Sequence, residues 1–133
     1  MNKLLACAAA ALLLSACAST EKELADKGMK PLEAAKIRTL LSGNTAAGTT
    51  AAGNGYMVFH AADGTMRGKT GNSSDAGKWE VRPDGQFCNQ WTTWRGAQQR
   101  CARLYEGDGE IRYFEDGNFA GRYKVENGNP YKL

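Results

Sequence analysis

Few side chains in this chain are able to do covalent or acid–base chemistry. His60 is its single histidine. It alone could complete a nucleophile–histidine–carboxylate triad, and a centre built from several histidines is excluded. His60 closes the run Tyr56-Met57-Val58-Phe59-His60 just before a turn signal. It therefore reads as a strand-end histidine, at the surface or partly satisfied, and not as a base. No G-x-S-x-G elbow accompanies it. A glycosidase needs two carboxylates facing one cleft, but Asp75, Glu80, Glu106 and Glu110 sit at turns or alternate with Lys and Arg. That is the pattern of a solvated face. Asp63, Asp84, Asp108 and Asp116 each precede a glycine, and turn formation accounts for them. Gly68-Lys69-Thr70 lacks the preceding spaced glycine and the long helix of a phosphate loop, and there is no C-x-x-C-H haem attachment site. The sequence thus predicts a non-enzyme with no catalytic residues, cofactor or metal.

The best binding candidate is Trp91-Thr92-Thr93-Trp94-Arg95, followed by Arg100 and Arg103 on the partner strand. Aromatic rings beside guanidinium groups suit sugar rings, anionic lipid or a protein surface. On an unbulged strand Trp91 and Trp94 have opposite parity, which places Trp91 inside and Trp94 near a hairpin tip. Trp94, Arg95, Arg100 and Arg103 then form an exposed partner surface, or Trp94 covers the end of the fold. The covering role is favoured.

The first residues read as an address. Lys3 precedes an apolar run from Leu4 to Leu14. Such a run is too short for a membrane-spanning helix, which needs ~20 residues, but it fits the apolar region of a secretory signal. The next residues, Leu14-Ser15-Ala16-Cys17, resemble the lipobox of bacterial lipoproteins. The resemblance implies cleavage after residue 16 and lipid attachment at Cys17, with several acyl chains forming a stable anchor. Ala18 in place of Asp implies outer-membrane sorting by the Gram-negative rule. The divisions expected are a signal peptide over 1–16, a polar tether over 17–30 and one domain over 31–133.

Export simplifies the cysteines. Cys7 leaves with the signal and Cys17 is lipidated, leaving Cys88 and Cys101. An even pair in an oxidising compartment reads as a disulfide. The midpoint between them falls between Trp94 and Arg95, beside Gly96. A hairpin turning there puts the two cysteines directly opposite each other. A two-cysteine metal site would lack ligands, because His60 cannot supply the remaining two.

The remaining sequence is punctuated by turns. Glycine makes up 16 of 133 residues against 3 prolines, well above the usual ~7% glycine. Asn54-Gly55, Asp63-Gly64, Asp84-Gly85, Asp108-Gly109, Asp116-Gly117 and Asn127-Gly128 supply the positive φ that tight hairpins require. Short alternating runs lie between them. Pro31 to Leu41 reads as one short helix, with Ile37, Leu40 and Leu41 on one face and Gly43 as its stop. The fold predicted is mainly β: an antiparallel meander of about eight short strands, closed as a small barrel or sandwich and preceded by that helix. Trp79, Phe87, Trp91, Leu104, Phe119 and Tyr123 are the inward candidates, bulky enough to fill a small barrel, so no cavity is assumed.

Leu41-Ser42-Gly43-Asn44-Thr45, Ala62 to Gly68, Asp75 to Trp79, Cys88 with Trp91, Cys101, and Gly128-Asn129-Pro130 occur in an order that resembles a family of small exported proteobacterial proteins of uncharacterised function. The resemblance covers about residues 31–130. It implies a β-rich domain with paired cysteines and no known reaction. Members often carry an apolar or aromatic residue where this chain has His60, which weighs against catalysis there. The net charge of +3 falls to +2 once Lys3 is removed with the signal, too little to argue for nucleic acid. The expectation is a lipid-anchored, periplasm-facing envelope protein that acts as a non-catalytic binding or structural module with a protein or glycan partner. The alternatives are a lipocalin-like small-ligand carrier and an inhibitor of an envelope-attacking hydrolase.

Overall fold

The computed structural model describes residues 20–133. The lipobox and Cys17 lie outside the described residues. The described chain forms two helices, α1 (Glu21–Asp26) and α2 (Ala34–Leu41), and eight strands. The strands are β1 (Asn44–Thr50), β2 (Gly55–His60), β3 (Thr65–Thr70), β4 (Ser73–Val81), β5 (Phe87–Trp91), β6 (Arg100–Gly107), β7 (Glu110–Glu115) and β8 (Asn118–Glu126). Each pairs antiparallel with the next, and β8 returns to β1, giving a closed meander barrel. Closure leaves no free sheet edge.

Local turn chemistry sets much of this order. Asp108-Gly109 and Asp116-Gly117 each have positive φ at both positions, the signature of the two-residue turn that matches strand twist. Asn54-Gly55 does not turn as expected. There the positive φ belongs to Gly53, and Gly55 is already the first residue of β2. Residue spacing also sets the disulfide. Cys88 and Cys101 are directly opposed between β5 and β6 and are bonded.

Helix α2 begins at Ala34, later than Pro31. The preceding segment is extended, and the Leu32 amide donates to the Leu104 carbonyl. Strand β5 pairs with β6 only as far as Phe87 opposite Ala102, so this segment supplies a partner where the ladder stops. Ile37 and Leu41 are fully buried against Trp79, Phe87 and Leu104, and Arg38 donates to the Val81 carbonyl. Helix α2 therefore caps one end of the barrel, which we term the base. The loops after β1, β3, β5 and β7 form the opposite end, the rim.

Residues 20–30 differ from the expected tether. Thr20 bridges to Asn118, and Glu21 donates its amide to the Gly117 carbonyl at the rim. Leu24 packs with Tyr105 and Phe114 on the outer wall. The Tyr105 hydroxyl donates to Glu21 over 2.7 Å. Burial and this bond push the phenol up to about 12. Phe119 belongs to this outer cluster and not to the interior. Tyr113 pairs with Gly121 while Phe114 pairs with Phe119. Ala120 is thus the extra residue of a bulge that reverses side-chain parity.

Replacing both Cys88 and Cys101 with Ser is expected to lower stability by about 3 kcal/mol, the loop-closure value for so short a loop, with the β spectrum retained. Urea midpoints of the variant and of wild type, each with and without reductant, check this. Reductant should shift wild type alone.

Candidate ligand cavity

The inward positions do not fill the barrel. Ala46 and Ala102 face inward beside the larger residues, and a cavity of about 520 Å³ remains. Its lower wall is apolar, with Val58, Phe87, Leu104 and Tyr123. At the rim it is bounded by Thr50, Asn54, Thr70, Trp94, Arg95 and Glu115. Asn54 and Arg95 are exposed, so the cavity reaches solvent there. The volume lies within the ~300–1,000 Å³ range of small-molecule sites.

Three inward polar groups have no protein partner. His60 Nδ1, Asn89 Oδ1 and Arg100 Nε are buried and unbonded among the described residues, and all three residues line the cavity. Asn89 and Arg100 are directly opposed on β5 and β6. His60 packs edge-on against Phe87, with ring centroids 5.7 Å apart, and against Trp79. Buried polar groups are nearly always hydrogen-bonded, so unpaired ones sharing one space call for an occupant, water or ligand. His60 ends β2 as expected, but it is only 4% exposed, which corrects the surface alternative and leaves the buried, partly satisfied one. Burial lowers its imidazole to about 4, leaving it neutral near pH 7. On the adjoining wall the Tyr56 hydroxyl donates to Tyr113, and burial pushes both phenols and Tyr123 upward.

The four expected partner residues separate. Trp94 turns onto Trp91, with ring centroids 4.7 Å apart, and is half-buried. It covers the barrel end. Parity alone placed it opposite Trp91, but the chain leaves β5 at Trp91 and turns in a tight 3₁₀ segment, Trp94–Ala97. Arg95, Gly96 and Ala97 in this segment all have positive φ. Gly68 makes this stacking possible, because a Cβ there would lie 2.6 Å from Trp91 and 2.8 Å from Trp94. Arg95 makes a bidentate pair with Glu115 at 2.6 and 2.7 Å, which raises its own affinity for a proton. Arg100 turns inward with Ala102 and Leu104. Arg103 points elsewhere, reaching the Asp84 carbonyl at 3.0 Å near the base.

Asp75, read from sequence as a turn or solvated-face carboxylate, holds the rim loop. Its Oδ2 accepts from the Thr93 and Trp94 amides at 2.8 and 2.9 Å and from the Thr93 hydroxyl at 3.2 Å. Burial draws its carboxyl upward, but the Trp94, Thr93 and Ala76 amides outweigh this and hold it below the ordinary carboxylate range. An acidic residue facing a two-tryptophan loop across a hairpin was the available signal. Nothing in the residue pattern pairs the two before the hairpin register is known.

Among the described residues, no cluster of three or more His, Cys, Asp or Glu is placed to hold a metal. The site is therefore a ligand-sized, largely apolar chamber in a closed β-barrel, with a polar wall and a tryptophan-covered rim. The chain belongs to the DUF995 family of proteins of unknown function, matching it over residues 9–115. No curated protein matches the chain.

Two outcomes follow. Asp75→Ala is expected to release the Trp94 loop and shift tryptophan emission to the red. In wild type the same shift should appear on acidification, because the latch is complete above the ordinary carboxylate pKa and is lost as pH falls through the depressed one. His60 contributes in the same sense. The unfolded chain protonates it near 6.5 and the folded chain only near about 4. Stability is thus full above pH 6.5 and falls by roughly 3 kcal/mol toward pH 4. Urea titrations across that range should show a shallower loss in His60→Phe.

Proposed function

We propose that this protein is a non-catalytic, membrane-attached carrier that holds a small, mostly apolar ligand inside its barrel. The observation that carries this reading is the solvent-connected cavity of about 520 Å³, into which buried, unpartnered polar groups point. A barrel serving only as a scaffold gains by filling that space, since each void forfeits packing. The expected exposed Trp94 surface loses support, because Trp94 packs on Trp91.

Membrane attachment rests on the lipobox sequence ending at Cys17. Thr20 sits at the rim beside Asn118, three residues beyond Cys17. Three residues reach at most about 10 Å. A lipid on Cys17 therefore tethers the rim, and not the base, close to the bilayer, and an apolar ligand exchanges with the membrane over a short path. An outer-membrane, periplasm-facing location accords with Ala18.

The test uses the neutral dye N-phenyl-1-naphthylamine. Wild type should take up one equivalent with enhanced emission, and Ala102→Trp, which fills the chamber, should abolish uptake while keeping the fold. Absence of uptake by the folded wild-type protein would sink the carrier reading. For the anchor, Cys17→Ser should move the protein from the membrane fraction to the soluble one.

A further inference from the structure

The charges facing the cavity do not balance. Arg95 is neutralised by Glu115 through two short hydrogen bonds. Arg100 makes no ion pair or side-chain hydrogen bond among the described residues, and its Nε is buried. His60 is neutral near pH 7 and adds no charge. The tyrosines that line the chamber stay protonated. One positive charge is therefore left uncompensated at the wall of an apolar chamber. The residue is half-buried, with its Nε–H buried and unpaired; a buried donor without a partner is costly, and guanidinium is the side chain best shaped for a carboxylate.

We propose that the ligand is an amphipathic monoanion, a carboxylate joined to an apolar body, with its head group on Arg100 and Asn89. A dianionic head such as a phosphate monoester would leave an excess negative charge, whereas one carboxylate cancels Arg100. Asn89 Oδ1, directly across the strand pair and also unpartnered, requires a donor. A carboxylate has none to give. The preferred ligand thus carries a hydroxyl or amide N–H close to its carboxylate. Its apolar body lies along Phe87, Leu104, Val58 and Tyr123 toward the base. This inference rests on the carrier reading, and the test separates the two.

Binding of 1-decanol, decanoate and 3-hydroxydecanoate is measured by displacement of N-phenyl-1-naphthylamine from the full chain carrying Cys17→Ser, with acetate and inorganic phosphate as anions lacking an apolar body. Decanoate is expected to bind at least tenfold tighter than decanol, 3-hydroxydecanoate tighter still, and the two small anions not to compete. Arg100→Gln should bring decanoate down to the affinity of decanol, with the β spectrum and urea midpoint retained, which report an intact barrel. Arg100→Lys should keep the preference for the acid, and Asn89→Leu should erase the gain from the hydroxyl. Equal binding of acid and alcohol by wild type overturns the anion inference and leaves the carrier reading standing. So does an acid preference that survives in Arg100→Gln, or competition by acetate or phosphate alone. Failure of all three ten-carbon compounds to displace a bound dye overturns the anion inference as well, whereas failure of the dye itself to bind overturns the carrier reading.

Discussion

The return of β8 onto β1 is the constraint on which the rest of the structure depends. The two strands pair from Thr45 opposite Glu126 to Thr50 opposite Gly121, and the approach is close enough that only glycine fits at its centre. A Cβ on Gly48 would collide with the Arg122 carbonyl and Tyr123. Gly121 is held in the same way between Tyr113 and the Thr49 carbonyl. Once closure is made, every inward residue shares a space of fixed circumference. The glycines at the seam leave no void, since Tyr113, Tyr123 and backbone oxygens occupy the space a Cβ would take. The chamber is instead bordered by the small inward residues Ala46 and Ala102.

Closure also explains why polar groups end up unpaired. Asn89 and Arg100 face inward from opposed positions on β5 and β6, and His60 Nδ1 is buried at the end of β2, so bulk water does not satisfy these atoms. Outward polar residues have water. Inward ones have only the chamber and each other. The Arg95–Glu115 pair shows that the fold can neutralise a charge at the rim, where the segment after β5 meets the end of β7. Arg100 receives no such partner among the described residues. That contrast within one barrel is what gives the chamber a chemical preference instead of mere space.

Much of the architecture was legible because it follows from local rules. Asp-Gly pairs at 108–109 and 116–117 impose their turns, and the thirteen-residue separation of Cys88 and Cys101 sets opposition across a hairpin. The errors have equally local causes. Parity failed at Trp94 because β5 ends at Trp91 and the following residues leave the extended conformation before Trp94. It failed at Phe119 because Ala120 is inserted into β8. Helix α1 was missed because it buries a single residue, Leu24, which no periodicity can reveal. The chamber was missed because emptiness depends on the sum of inward volumes around a closed ring, and the bulky aromatic residues drew attention while Ala46 and Ala102 did not.

The two ends of the barrel are built by different means, and this bears on how a ligand would pass. The base is closed by α2, whose Ile37 and Leu41 are fully buried and whose removal would expose a continuous apolar surface. The rim is closed by side chains and a short loop: Trp94 laid on Trp91, the Arg95–Glu115 pair, and the Asp75 latch on the Thr93 and Trp94 amides. Opening the base would expose core. Opening the rim costs a few hydrogen bonds and one ion pair that is itself 38% and 15% exposed at its two side chains, and such contacts contribute far less than buried apolar packing. Passage through the rim is therefore the lower-energy route. The chain enters the fold at this same rim, through Thr20 and Glu21 beside the β7–β8 turn. The end that opens most readily is thus also the end nearest any anchor that precedes Thr20.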